Sequence, residues 1–414
     1  MSNLSDVMTL PLQIPDTIPN DWSWRNLVEL CNPKQWKTIS SSDLTETGYR
    51  VFGANGFIGF YHKFNHEDET ISVTCRGATC GTVNLIPSRT YITGNSMCLD
   101  NLSREVSKFY LFYATQFRTF SDVISGSAQP QITGEGLKKV SLPVPPLPEQ
   151  KKIASILTSV DEVIENTQKQ IDKLQDLKKA TRNELLTKGI GHTEFKDSEL
   201  GRIPKSWFNI SVDEALKCKI LDSIQDGNHG SQHPKSSDYV IKGIPFVMAS
   251  DLRNGKVDVS RAKKIPTGVY EGLRIGFAKV GDVLLTHKAT IGEVAVVDED
   301  CGAIMCTPQV TYYRIKDAGR LSSRFLFYWF QSQQFQRELF RVSGQSTRDY
   351  IGIKAQKELF IRIPPITEQN SITSILLAVD EKVSRVKRKL AQTQALKKSL
   401  MQDLLTGKVR VTVN

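Results

Sequence analysis

Two stretches of this chain alternate apolar and polar residues in the same rhythm. In the first, Ile153, Leu157, Val160, Ile164, Ile171 and Leu174 recur by fours and threes, with Thr167 as the polar gap. The second carries Ile372, Leu376, Val379, Val383, Val386 and Leu390 in the same phase. That period places a narrow apolar seam on one helix face, as two helices packing along each other require. Pro148 and the Pro364-Pro365 pair mark where each helix can begin, and Gly189 and Gly407 where each can end. A helix from about Glu149 to Thr187 is roughly 57 Å long at about 1.5 Å per residue. Equal phase and length predict an intramolecular antiparallel pair rather than two unrelated amphipathic helices docked on separate cores.

The two stretches are one sequence written twice. Pro145-Pro146-Leu147-Pro148-Glu149-Gln150 returns as Pro364-Pro365-Ile366-Thr367-Glu368-Gln369, an offset of 219. The same offset holds for Val160-Asp161-Glu162 against Val379-Asp380-Glu381 and for Leu177-Lys178-Lys179 against Leu396-Lys397-Lys398. It still holds at Leu185-Leu186-Thr187 against Leu404-Leu405-Thr406, with no insertion between. A period this long means two large units rather than a solenoid of repeats of about 20–50 residues. The flanking blocks correspond more loosely. Ile18-Pro19-Asn20-Asp21-Trp22 matches Ile203-Pro204-Lys205-Ser206-Trp207, and Ala78-Thr79-Cys80-Gly81 matches Ala289-Thr290-Ile291-Gly292. The reading is a first block over 1–145, a helix over 146–188, a second block over 189–364, and a second helix with tail over 365–414. Fixed helices between divergent blocks describe a spacer carrying two interchangeable readers.

Inside the blocks, Thr70–Thr74, Asp282–Thr286 and Gly292–Val297 read as short strands running into or out of turns. Phe109–Tyr113 and Phe325–Phe330 read as buried helices with aromatic cores. Composition fits a globular protein of two or three domains, with 39% hydrophobic and 8% aromatic residues over 414 positions. The first residues lack a basic flank with an apolar run, so no signal peptide is predicted, and no apolar stretch is long enough to span a bilayer. Seven cysteines, an odd number at low density, point to a reducing interior. The expected location is cytoplasmic.

The net charge of +10 is unevenly placed. Residues 1–148 hold 12 basic and 13 acidic side chains, whereas residues 189–364 hold 25 and 20, and the tail 365–414 holds 9 and 4. Polyanion binding is the usual partner of such basicity. The near-neutral first block needs a local patch for it, such as Lys34, Lys37, Arg50, Lys63, Arg76 and Arg89. The run Arg385, Lys387, Arg388 and Lys389 serves equally as a phosphate contact or a solvated helix face.

A search for catalysis returns nothing. There is no Asn-Pro-Pro-Tyr motif for amino methylation, no glycine-rich methyl-donor loop and no phosphate-cradling Gly-x4-Gly-Lys-Ser/Thr. His62/His66 and His229/His233 have a zinc-like i,i+4 spacing but lack the Glu of a metalloprotease. Cys75/Cys80 and Cys301/Cys306 do not correspond between the repeats, so no metal is expected.

Taken in order, these motifs resemble the specificity subunits of type I restriction–modification enzymes. The resemblance rests on the Pro-Pro-Leu-x-Glu-Gln start, the Ile-Leu-x-x-Val-Asp-Glu helix and the closing Leu-Leu-Thr-x-Gly. It extends to Gly243-Ile244-Pro245-Phe246, Asp226-Gly227-Asn228-His229-Gly230 and the Thr286-x-x-Ala-Thr-Ile-Gly turn. It implies an α+β fold: two mixed α/β target recognition domains separated by two long helices packed as an antiparallel coiled coil. It also implies a circular arrangement, in which the Trp22 segment continues the stretch beyond the second helix. The implied function is reading a bipartite, asymmetric site on double-stranded DNA for adenine methylation or restriction by partners. Those partners are two modification subunits and two restriction subunits, which would carry S-adenosylmethionine, ATP and Mg; none of these is expected on this chain. A non-catalytic protein–protein adaptor without direct DNA readout stays open beside it, with the near-neutral first block as its support. A nuclease or methyltransferase in its own right is disfavoured by the missing motifs.

Polar residues in turns are the candidate DNA contacts, because phosphates fix register while side chains at base edges read sequence. In the first block these are Asn55, Arg76, Thr79 and Gln129. In the second they are Asn228, His229, Ser231, Gln232, His233, His287, Lys288, Thr290, Gln345, Ser346, Thr347 and Arg348. A rod of roughly 57 Å exceeds one turn of B-DNA, about 34–36 Å, so its length would set the gap between half-sites.

Overall fold

The computed structural model describes residues 17–54, 56–126, 128–228, 233–343 and 350–413. The chain forms two compact units, and the boundary falls inside both long helices. The first unit joins residues 1–170 to 386–414; the second is residues 171–385. Each unit therefore owns one block, the part of one helix that adjoins it, and a complementary part of the other helix.

The long helices run Leu147–Lys188 and Ile366–Leu405, 42 and 40 residues. Both start immediately after a proline, and both end at a glycine with positive φ, +67° at Gly189 and +72° at Gly407. A side chain at either glycine has no room. A Cβ at Gly189 would lie 2.7 Å from the Trp207 ring, and one at Gly407 2.6 Å from the Pro19 ring. The seam residues face inward. Ile153, Leu157, Ile171, Leu174, Ile372, Leu376, Val383, Val386 and Leu390 are buried, and Val160, Ile164 and Val379 are half-buried. Thr167, the polar gap, is buried as well. In the first unit, Ile153 and Leu157 share a core with Met401, Leu404 and Leu405. In the second, Leu186 shares one with Ile372 and Leu376. The beginning of one helix thus packs against the end of the other, the antiparallel sense.

The repeated letters have matching jobs. Glu149 accepts from the Trp22 indole (3.1 Å) and from Arg410 (2.8 Å), which also holds Asp21 (2.6 Å). Glu368 accepts from the Trp207 indole (2.8 Å), the His192 ring (2.8 Å) and the Ile190 amide (2.9 Å). Gln150 accepts from the Ser107 amide and donates to the Glu105 and Pro145 carbonyls. Gln369 does the same with Ser322, Arg320 and Pro364. Farther along, Asp161 takes the Tyr113 hydroxyl (2.8 Å) and Lys397 (2.6 Å). Its counterpart Asp380 takes the Tyr328 hydroxyl (3.0 Å) and Lys178 (2.6 Å). Burial, with the adjacent carboxylate adding to it, pushes both tyrosine hydroxyls well above their ordinary range, so they stay protonated donors.

The blocks share one plan. The first has a four-stranded antiparallel sheet ordered Asn32–Gln35, Ser96–Asp100, Thr70–Thr74, Val83–Ile86. Beside it lies a three-stranded sheet in which Tyr49–Gly53 pairs antiparallel with Gly56–Tyr61 and parallel with Tyr91–Ile92. The second block repeats the four strands as Leu221–Asp226, Val310–Ile315, Val283–Thr286, Val294–Val296. Its other sheet pairs Ile244–Val247 antiparallel with Lys263–Ile265 and parallel with Ile304–Cys306, and adds a fourth strand, Phe277–Ala278, antiparallel to Ile304–Cys306. The expected strands over 70–74, 282–286 and 292–297 are present, the last two trimmed to Val283–Thr286 and Val294–Val296. The aromatic helices are Lys108–Arg118 and Ser323–Phe330; Phe109 alone among their named aromatics points outward. Among the described residues, no helix is long and apolar enough to cross a membrane.

Both Gln150 and Gln369 are fully buried, so truncation strands an amide and two carbonyls at about 1–3 kcal/mol for each orphaned group. Gln150→Ala is expected to lower the denaturant midpoint of the first unit, and Gln369→Ala that of the second. A chemical denaturation series on the full chain reads both.

Candidate nucleic-acid interface

Each block presents a turn where its central strand leaves the four-stranded sheet. In the first unit, Thr70–Thr74 continues through Cys75 into Arg76-Gly77-Ala78-Thr79-Cys80-Gly81, closed by Gly81 N–H to the Thr74 carbonyl (2.8 Å). Arg76 forms a β-bridge with Gln131, and the Gly77 amide donates to Pro130 (3.1 Å). Arg76 and Thr79 are thereby set beside the segment 128–131 that carries Gln129. Arg76 and Gln129 are exposed and Thr79 is half-buried.

The second unit builds the same corner from different letters. Val283–Thr286 continues through His287 into Lys288-Ala289-Thr290-Ile291-Gly292, closed by Gly292 N–H to the Thr286 carbonyl (3.0 Å). Lys288 bridges Tyr350 as Arg76 bridges Gln131, and both Lys288 and Thr290 are exposed. Ile351 N–H donates to the His287 carbonyl (3.0 Å), as Ile132 N–H does to Cys75 (3.0 Å). Arg76 and Lys288 are therefore equivalent cations at equivalent corners.

Behind each corner lies a polar pair with one buried member, Cys75 in the first unit and His287 in the second. In the first unit, Gln35 donates to Cys75 (3.0 Å) and to the Gly94 carbonyl (3.0 Å). In the second, Asp226 lies 3.5 Å from His287 Nε2 and accepts from Thr311 (2.9 Å), while His287 Nδ1 meets the Ile351 carbonyl (3.0 Å). His287 has no exposed surface. It supports the corner from inside, with Lys288 and Tyr350 above it. Its Nε2 has no hydrogen-bond partner among the described residues. Burial pushes its pKa down, more than Asp226 pulls it up, and the Ile351 carbonyl selects the tautomer protonated on Nδ1.

Asn228 is buried at the end of the Leu221–Asp226 strand. Its amide donates to the Cys306 carbonyl (2.9 Å), its own carbonyl meets His233 Nδ1 (2.9 Å), and its Nδ2 has no partner among the described residues. The His233 ring packs on Phe246 at 5.4 Å. Asn55, His229, Ser231, Gln232, Gln345, Ser346, Thr347 and Arg348 lie outside the described residues. Two cations of the first-block patch are occupied by aromatic faces: Lys34 sits 3.8 Å over Trp36, and Arg89 5.1 Å over Tyr49.

Sequence reasoning missed a third correspondence, at offset 195. Ser41-Ser42-Asp43 and Ser236-Ser237-Asp238 each form a 3-10 turn, followed five residues later by Gly48 and Gly243. Thr45 N–H then donates to Phe60 O, and Val240 N–H to Lys264 O, both at 2.9 Å. The short Ser-Ser-Asp-x4-Gly signature was the available signal.

Residues 19–176 and 225–394 match the sequence model of the type I restriction modification DNA specificity domain. The specificity subunit of the type I restriction enzyme MjaVIII from Methanocaldococcus jannaschii is 26% identical over 349 residues, covering 81% of this chain and 78% of that protein. The EcoBI specificity subunit from Escherichia coli is 23% identical over 292 residues, 67% of this chain and 60% of that protein. The crystal structure of a type I restriction–modification S subunit from M. genitalium superposes with a TM-score of 0.60 at 17% identity, covering 97% of this chain and 100% of that one. A chain from a structure on complex assembly and conformational transition of the type I restriction–modification system gives 0.54 at 19% identity, covering 95% and 100%. These two share the fold.

A histidine neutral in the folded state and titrating near 6.5 when unfolded binds more protons unfolded, so its contribution to stability falls as pH drops below about 6.5. His287→Asn keeps a donor for Ile351 and removes the titration. The second unit's melting temperature is expected to fall less steeply in this variant than in the parent between pH 7 and 5, measured by calorimetry.

Proposed function

The chain belongs to the type I restriction–modification DNA specificity family, and on that premise we propose how its two units divide the work. The chain is the specificity subunit, recognising a bipartite DNA site. Each unit reads one half-site through the corner bearing Arg76 or Lys288, and the duplicated helices hold the two readings at a set gap. The observation that carries this is the pairing of matching helix clamps with non-identical corners. Glu149/Glu368 repeat their indole contact, and Gln150/Gln369 and Asp161/Asp380 repeat theirs, while the side chains above the sheets differ. Shared clamps set geometry and differing corners set sequence.

In this reading the chain catalyses nothing and holds no cofactor. Two modification subunits transfer the methyl group of S-adenosylmethionine to adenine, and two restriction subunits supply ATP- and Mg-dependent cleavage. Arg76 and Lys288 are exposed cations suited to neutralising a phosphate or contacting a base edge.

Three outcomes test it. DNA affinity of the assembled modification complex should fall steeply between low and moderate salt; flat affinity would instead support the adaptor reading. Arg76→Ala and Lys288→Ala should each weaken binding, reducing the salt slope by about 1 where the contact is to phosphate; an unchanged slope and affinity in both would remove the corners from the interface. Inserting four residues between Lys179 and Leu185 should lengthen the tolerated gap and leave both half-sites intact. Genome-wide mapping of methylated positions reads this, and an altered half-site would contradict the spacer role.

A further inference from the structure

We propose that His66, Cys98 and Asp100 of the first unit bind a thiophilic divalent metal ion of the zinc class, with solvent as the fourth ligand. The three side chains arrive from two places: His66 from the segment after the Gly56–Tyr61 strand, Cys98 and Asp100 from the Ser96–Asp100 strand. One ligand atom from each lies within 4.8 Å of the others. Tetrahedral ligands on zinc sit roughly 3.5 Å apart, given bonds of about 2.0–2.3 Å, so modest side-chain shifts close the set.

The hydrogen bonding around the cluster requires a positive species at its centre. Asn65 is fixed in orientation because its Oδ1 accepts the Ile92 amide (2.8 Å) while its Nδ2 donates to the Ile92 carbonyl (2.9 Å). His66 Nδ1 lies 2.8 Å from that same Oδ1 and must therefore carry its proton toward Asn65. In the neutral ring, Nε2 then turns a lone pair on Asp100 Oδ1, 3.0 Å away. Asp100 Oδ2 is already engaged by the Trp36 indole (3.0 Å), leaving Oδ1 free to coordinate. A histidine whose second nitrogen is bonded to an oxygen, and a carboxylate whose second oxygen is held, is the outer-shell arrangement that orients metal ligands.

A proton on Nε2 would also satisfy His66 and Asp100 and leave the Cys98 thiol as packing among Ile86, Ile92, Trp36 and Phe52; a metal ion engages all three. His66 and Asp100 also line a cleft of about 550 Å³ with Lys34, Trp36 and Lys108, which gives the fourth position access to water. Cys98 is fully buried and burial pushes its thiol up, so binding must displace a proton. The S–H bond breaks, a sulfur–metal bond forms, and one proton leaves to solvent for each ion bound. The second unit is an internal control. Strand register equates Cys98 and Asp100 with Tyr312 and Arg314, and Arg314 instead pairs with Asp282 (2.7 Å). The sequence hid the site because its three ligands share no metal-binding spacing.

The test titrates the purified full chain, freed of metal by chelation, with Co²⁺ and then Zn²⁺. One equivalent of Co²⁺ should produce a thiolate-to-cobalt charge-transfer band, release one proton in weakly buffered solution, and be displaced by Zn²⁺. Cys98→Ser should abolish the band. Asp100→Asn, which keeps the shape of the side chain, should weaken Co²⁺ binding at least tenfold while leaving the circular dichroism unchanged. No band in the parent chain overturns the proposal. So does a band that persists in Cys98→Ser, which would place the ion on another thiol such as exposed Cys218, or an unchanged affinity in Asp100→Asn. Should Cys98→Ser fail to fold, the Asp100→Asn titration in a Cys218→Ser background decides alone.

Discussion

A carboxylate in the first turn of each long helix, buried at Glu149 and half-buried at Glu368, is the contact on which this molecule depends. Glu149 and Glu368 are wholly or largely withdrawn from water and held by donors from distant segments: an indole in both cases, then a guanidinium in one and an imidazole with a backbone amide in the other. A carboxylate so placed is costly when alone and specific when satisfied. It also sits where the helix dipole favours negative charge. The neighbouring glutamine finishes the joint by satisfying three backbone groups, one on the proline-rich approach and two in the segment before the aromatic helix. Without these joints, the seam residues would still favour a helical pair, but nothing would fix which part of each block it meets.

The division of the chain into units is a result of these joints and of the charge pairs beyond them. Because Lys397 answers Asp161 and Lys178 answers Asp380, each helix completes both units. The blocks are then free to vary in everything except the surfaces that receive Glu, Gln and Asp. The corners bearing Arg76 and Lys288 show that freedom. The backbone hydrogen bonds are the same, while beneath them a Gln–Cys pair in one unit becomes an Asp–His pair in the other.

How much of this was legible depended on the range of the interaction. The helices could be read because their period is local and written twice, down to the glycines that end them. The strands over 70–74 and 283–286 were legible as β-rich runs meeting glycine turns. Their pairing was not, since Asn32–Gln35 joins Ser96–Asp100 across more than sixty positions. The purpose of the repeated Glu, Gln, Asp and Lys was equally hidden, because Trp22 lies 127 positions from Glu149 and Asp21 lies 389 from Arg410. Among the site residues, turn chemistry located Arg76, Thr79, Lys288 and Thr290 on exposed or half-exposed corners. Polarity alone could not separate them from buried Asn228, or from His287, which the fold turns inward onto the Ile351 carbonyl.

The crossed lysine–aspartate pairs carry an evolutionary consequence. Recombination between the two copies of the helix sequence would excise 219 residues and leave a single block followed by one hybrid helix. That helix would keep an aspartate in its leading half and the answering lysine in its trailing half. Such a truncated chain could not close on itself, but two of them, side by side in opposite directions, would supply each other's missing partners. A symmetric ancestor of two identical half-length chains, later fused and allowed to differ, would have needed no contact that this molecule does not already possess.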